Sequence, residues 1–371
     1  MDPIKILKRS WHILWSYRAL WVFGLILALA GAGSTGRVGN NSSYQFNEND
    51  RPQFNQNWNP EDMPQSIQEA FDEMRVLFTE GTQAAGISQQ ELNALIWLVV
   101  AAIVFFMVLG ILTAVARYVA ETAAMRMVDE YETSGAKMTV RQGFRIGWSR
   151  TSWRLFLINL IVNLPRIVIV AILIISGVVI YQMSTSGNDT APVVGIVSLI
   201  GVVFLSIFAA VILSIVLQLL RHFFWRACAI EGLGVRDSLA RGFAMVRENW
   251  KSVGLMWLVM IGLGIAWALA SVILIIITAP IVVITAALGA VVAAIPGLVM
   301  VGIFSAFLGG YLPWIAAAIF VLPLFLVIAF SPWVLLSAWE TVFTSTVWTL
   351  TYRELKAIPD ATPPQVEPVT S

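Results

Sequence analysis

"VGLMWLVMIGLGIAWALASVILIIITAP", residues 253–280, opens a run in which no charged side chain appears before Ala338. Roughly 20 apolar residues suffice to cross a bilayer as a helix, and this run is several times that length. The rest of the chain agrees: of 371 residues, 58% are hydrophobic and only 12% charged, about half the charged share of a soluble domain. The class this defines is an all-α integral membrane protein with several crossings.

Apolar segments fall at about 17–32, 92–117, 155–181, 192–220, 253–278 and 313–338. The first runs into Gly31-Ala32-Gly33 with no soluble protein behind it, so it reads as a retained span and not as a cleaved leader. Between the spans the Lys and Arg residues sort to alternate connections. Lys5, Lys8, Arg9 and Arg18 precede the first span, and a long series from Arg117 to Arg154 joins the second to the third. Arg221 to Lys251 join the fourth to the fifth, while Arg353 and Lys356 follow the sixth. The opposite connections hold only Arg37, Arg51 and Arg75. Because cytoplasmic loops carry the excess of Lys and Arg, both termini and the basic connections are expected in the cytoplasm, with the chain in the cell membrane.

Residues 34–60, rich in Asn and Gln, read as a solvated outside loop. Residues 64–80 follow as an amphipathic helix, with Ser66 and Glu69 in capping-box spacing and Ile67, Phe71, Met74 and Phe78 on one face. Ser88 and Glu91 form a second such box where the second span begins. The segment 279–310 divides at Pro296-Gly297 into pieces short for a span, which favours a re-entrant apolar hairpin over a seventh crossing. Residues 357–371, rich in Pro, read as a disordered cytoplasmic tail.

A repeated doorway organises the rest. Arg18-x-x-Trp21, Arg150-x-x-Trp153 and Arg247-x-x-Trp250 each stand just before apolar sequence. Arginine reaches headgroups and tryptophan sits at the membrane boundary, so these six residues are expected as interface anchors. With the doorways as markers, 1–356 becomes one membrane domain of three helical-hairpin units, about 1–131, 139–231 and 235–355. Internal repeats are common in membrane proteins. Basic lead-in helices precede the doorways. In "TVRQGFRIGWSRTSW", Thr139 and Gln142 have capping-box spacing, and Val140, Phe144 and Trp148 recur at helical intervals. In "VRDSLARGFAMVRENW", Leu239, Phe243 and Val246 share a side. Such helices lie in the headgroup plane with arginines toward anionic lipid. Exit helices also end alike, Glu121-Thr122 matching Glu340-Thr341, which gives six spans in all.

Two familiar motifs fail for lack of context. "GAGSTG" (31–36) has dinucleotide-fingerprint letters but follows an apolar span instead of a strand. "SGAK" (134–137) lacks the companions of a serine hydrolase tetrad. With His12 and His222 as the two histidines and Cys228 as the one cysteine, neither a metal site nor a disulfide framework is expected, and no cofactor.

Polar residues within the spans carry the candidate ligand site. Asn159, Asn163 and Arg166 share one face of the third span. Counted from Trp153, Arg166 lies about 20 Å along the helix and near the midplane, where an arginine by default marks function. Alternatively Pro165 starts the crossing helix, leaving Arg166 at headgroup level. Arg117 with Glu121, Gln218 with Arg221, and Glu340 form further stripes on exit helices. They read either as structural glue across the bundle or as a cytoplasm-facing polar cavity for a lipid phosphate or carboxylate.

"ACAIEGLGVRDSLARGFAMVRENWKSVGLMWL" (227–258) and "MVDEYETSGAKMTVRQGFRIGWSRTSWRLFLI" (127–158) resemble uncharacterised bacterial multi-pass proteins related to the membrane domain of glycerophosphoryl diester phosphodiesterase. The resemblance implies a six-span helical domain; the soluble phosphodiesterase barrel has no room here, so its activity is not implied. The expected function is that of a non-enzymatic membrane-organising or accessory component, with membrane lipids and a membrane protein as partners and no nucleic acid. The alternative is binding or transport of a lipid or other amphiphile through the polar stripes.

Overall fold

A computed structural model describes residues 1–31, 89–185, 191–309 and 312–358. Among them the chain is helical throughout, with no strand. The helices are α1 (Pro3–Ser16), α2 (Ala19–Leu29), α3 (Gln89–Ser134), α4 (Val140–Gly147) and α5 (Arg150–Thr185), then α6 (Ala191–Glu231), α7 (Val235–Glu248), α8 (Trp250–Phe304), α9 (Leu312–Ala329) and α10 (Ser331–Ala357). The outside loop 34–60, the helix 64–80, Ser88 and the tail beyond Ile358 lie outside the described residues. Among the described residues five helical segments are long and apolar enough to cross a membrane: Ile96–Ser134, Arg150–Val179, Val203–Glu231, Trp250–Phe304 and Leu312–Ala329. A sixth is counted only if α1 and α2 are taken together, and these meet at a bend of 100°.

The chain forms two compact units. The first comprises Met1–Val38, Thr113–Leu274 and Val334–Ser371. Here α1 starts at the Asp2 carboxylate, which accepts from the Ile4 and Lys5 amides at 3.0 and 3.3 Å, and Pro3 enters the first turn. The bend after α1 is held from two sides. The Trp21 indole N–H donates to the Leu14 carbonyl at 2.7 Å, satisfying an acceptor in the last turn of α1. The Tyr17 hydroxyl accepts from the Met138 amide at 2.6 Å and donates to the Met138 carbonyl at 3.0 Å. Beside it, the Lys137 ammonium donates to the Ser16 carbonyl at 2.8 Å.

α3 and α6 both stop at a glycine in the left-handed region, Gly135 at φ 70° and Gly232 at φ 69°, a conformation that costs other residues a Cβ clash. α4 then begins at Thr139, whose hydroxyl caps the Gln142 amide while the Gln142 side chain caps Thr139, as its spacing predicts. α5 and α6 pack as a hairpin, and α7 lies against both.

The lead-in helices α4 and α7 turn small residues inward and leave aromatic ones outside. Gly143, Gly147, Ser238, Gly242 and Met245 are buried, whereas Phe144, Trp148 and Phe243 are exposed. The reason is close approach. A Cβ on Gly147 would lie 2.5 Å from the Val119 carbonyl oxygen, and one on Gly242 would lie 3.1 Å from the Phe224 amide nitrogen. Small residues let the helix backbones touch, which leaves the aromatic rings outside.

The second unit comprises Gly39–Leu112 and Ile275–Trp333, and it corrects the expected apolar hairpin. α8 passes through Pro280 and Pro296 without a break and ends at Phe304, so no turn falls at Pro296-Gly297. The reversal comes after Phe304, and α9 returns along α8. The Thr285 hydroxyl donates to the Ala329 carbonyl at 2.6 Å, and the Trp333 indole donates to the Thr278 hydroxyl at 2.9 Å. Proline is tolerated inside long apolar helices where neighbouring groups re-satisfy the freed carbonyls. One further expectation changes. The segment 313–338 is not one helix, since α9 ends at Ala329 and α10 starts at Ser331. Within the segment 17–32 lies the 11-residue α2, shorter than a crossing by itself and counted as one only together with α1.

Candidate functional site: a buried arginine cluster

The apolar shafts of the first unit change character at charged residues. On α3, Leu112 and Val115 are exposed, whereas Tyr118, Val119, Ala120, Glu121 and Thr122 are buried. On α6, Leu213, Ile215 and Val216 are exposed and Leu220, Arg221, Phe223 and Phe224 buried. On α10, Leu335 is exposed and Ala338, Thr341 and Val342 buried. Arg117, Arg221 and Glu340 are the first charges met at the end of each uncharged run.

Just past this level the buried polar groups gather. Arg226 is 1% exposed and donates to the His222 and Ser345 carbonyls, each at 2.8 Å. Arg221, also buried, donates to the Asn159 side-chain oxygen at 3.2 Å and lies 4.9 Å from the Trp225 ring centroid. Asn159 in turn donates to the Tyr118 hydroxyl at 2.9 Å, and His222 stacks on Trp348 at 4.7 Å. Glu121 sits in the fields of Arg226, Arg117 and Arg221. Four helices thus meet around the guanidiniums: α3 and α6 supply the arginines, and α5 and α10 supply acceptors to them.

Several donors there are buried without an acceptor among the described residues. They are Nε and Nη2 of Arg117, Nε of Arg226, the Trp225 indole N–H, and the Ser345 and Thr346 hydroxyls. An N–H left unmade in the interior costs about 1–3 kcal/mol. A group offering several acceptor lone pairs and no proton, such as a phosphate or carboxylate, matches this set.

The structure sorts the sequence candidates. Arg117, Glu121, Asn159 and Arg221 come together. Asn163 instead donates to the Asn159 carbonyl of its own helix at 2.7 Å. Gln218 is half-buried one turn before the cluster, and Glu340 is half-buried on α10 and partnered. Pro165 lies inside α5 and does not start it, which removes the reading that placed a helix start before Arg166; the Arg166 side chain is outside the described residues. Sequence reasoning missed Arg226, Trp225 and Ser345. Arg226 follows Arg221 by five residues, a spacing that puts it on a different helix face and outside the Gln218–Arg221 stripe.

The doorway residues also divide. Trp153 and Trp250 are exposed at 64% and 65%, and Arg18, Arg150 and Arg247 are exposed. Trp21 is not a free anchor: it is half-buried, packed against Trp15 and Trp339 at 5.5 and 5.3 Å, and tied to α1.

A second polar knot lies where α6 and α10 end. Glu231 accepts from the Tyr352 hydroxyl at 2.7 Å and pairs with Lys356 at 3.3 Å. Burial, with the Glu231 acceptor adding to it, holds the Tyr352 phenol well above its ordinary range. Arg353 pairs with Asp129 nearby.

Among the described residues these features define an all-helical protein with five helices of membrane-crossing length and a charged interior in its first unit. Residues 8–352 match the model of DUF7544, a family of unknown function, and the chain belongs to that family. No curated protein and no solved structure matches.

Proposed function

We propose that this chain is a non-catalytic integral membrane protein that holds the phosphate or carboxylate of an anionic lipid at the Arg117–Arg226 cluster. Its termini and basic connections face the cytoplasm, which with the five crossings counted above requires one more between Ala19 and Gln89. The carrying observation is the set of buried, unaccepted donors on Arg117, Arg226, Trp225, Ser345 and Thr346. Their level supports a lipid: Arg117 and Arg221 end uncharged runs that begin at Leu92 and Thr190, so an anion bound there would sit at headgroup depth with acyl chains along the shafts.

The test is purification of the full chain in mild detergent, with lipid and protein identification by mass spectrometry and a parallel assay for inorganic phosphate. An anionic lipid should co-purify with the wild type and be depleted in Arg117→Gln, which is half-exposed, and in Arg226→Gln. Bound inorganic phosphate without lipid would replace the lipid reading with free-anion binding. A stoichiometric protein partner without either anion would shift the function to a membrane-organising or accessory role. For topology, a C-terminal reporter active only on the outer side would overturn the cytoplasmic placement.

A further inference from the structure

The three lead-in helices carry the same two-faced arrangement. At about 100° per residue, a buried small residue is followed on each by an exposed aromatic: Ser10 then Trp11 on α1, Gly143 then Phe144 on α4, Gly242 then Phe243 on α7. On α1, Ile4, Trp11 and Trp15 are 63%, 55% and 44% exposed and fall within about 40° of one another, with exposed Lys8 beside them. On α4, Phe144 and the 72% exposed Trp148 are flanked by exposed Arg141 and Arg145. On α7, exposed Arg236, Phe243 and Arg247 lie within about 40°.

An aromatic exposed once is ordinary. The same pairing of exposed rings and cations, on three helices whose other faces are buried, is a pattern with a physical target. Indole and phenyl rings favour the boundary between hydrocarbon and water, and arginine and lysine beside them reach phosphate. A protein partner would leave no reason for the cations to recur at the rim of every aromatic stripe, whereas an anionic lipid surface does.

We infer that α1, α4 and α7 are in-plane anchors that bind the headgroup layer of an anionic bilayer through these three faces. The residues differ from those of the arginine cluster, so the two ideas fail separately. The anchoring free energy comes from ring burial plus charge, and the charge part falls with salt and rises with anionic lipid content.

The test uses the full chain in nanodiscs of phosphatidylcholine, alone or mixed with phosphatidylglycerol. Spin labels are placed through Trp148→Cys and Phe243→Cys, with Glu248→Cys as a control about 140° from Phe243 on α7; Cys228 is buried. Collisions with oxygen and with a nickel chelate report depth. Labels at 148 and 243 should show an oxygen-to-nickel ratio several-fold above that at 248, rising further with phosphatidylglycerol. Arg141→Gln with Arg145→Gln should abolish that rise at 148. Nickel access at 148 and 243 equal to that at 248 means an aqueous face, and shielding from both reagents means a protein cover; either result overturns the inference. A ratio indifferent to phosphatidylglycerol overturns its anionic part.

Discussion

The first unit buries Glu121, Arg221 and Arg226 in its interior, whereas the hairpin of α8 and α9 between Ile275 and Trp333 contains no charged side chain. In one, charge is tolerated because carbonyls, an asparagine and a carboxylate surround it. In the other, helices meet through small residues and single hydroxyls: a Cβ on Gly289 would lie 3.3 Å from the Phe325 carbonyl oxygen, and Thr285 reaches Ala329. The lesson is that helix pairing in one chain rests on two different forces. Polar networks fail sharply when one member is removed, while apolar contacts between helices in lipid each contribute little.

That contrast can be broken at its strong end first. Arg226→Met should cost about 3–5 kcal/mol, because Glu121 loses a buried partner and the His222 and Ser345 carbonyls lose a donor; thermal unfolding in detergent reads it. Gly147→Val should cost about 1–3 kcal/mol by forcing α4 off the Val119 carbonyl, seen as a lower melting temperature. Tyr352→Phe removes a bond to Glu231 and should cost about 1.5 kcal/mol. The raised phenol also sets a pH dependence. The folded state holds that proton more tightly, so its stabilisation is complete below about pH 10 and is lost as pH rises beyond it. Melting curves above pH 9 should fall less steeply in Tyr352→Phe, and an unchanged slope would remove Tyr352 from the account.

At the weak end the signs change. A methyl group added at Gly297 in α8 would meet nothing within 4 Å, so Gly297→Ala should stabilise by about 0.5–1 kcal/mol through helix propensity. Thr285→Val should cost only about 0.6 kcal/mol. A loss in the second unit as large as that of Arg226→Met would erase the distinction between the two regions.

The helical class was legible because hydropathy is a property of composition, and the α4 start was legible because a capping box is local: Thr139 and Gln142 need only each other. The hairpin was misplaced because Pro296-Gly297 breaks helices in water, where freed carbonyls have better options, but not within α8. The buried faces of α4 and α7 were not legible because hydropathy weighs what a side chain is. It gives no weight to the absent side chain of Gly143 or Gly242, which decides how close a neighbour comes. Within the site, Arg117, Glu121, Asn159 and Arg221 showed themselves as polar residues in apolar sequence. Arg226 did not, since it lies beyond the apolar run among ordinary cytoplasmic-looking charges.

The length of α8 has a mechanical meaning. Its 55 residues make a rod of about 82 Å, against a hydrocarbon thickness of about 30 Å. Proline has no N–H, so Pro280 and Pro296 leave the carbonyls of Ile276 and Val292 without their usual helical donors. Curvature at those two places breaks no backbone bond, which makes them the cheapest joints at which an over-long rod can accommodate a thinner or thicker membrane.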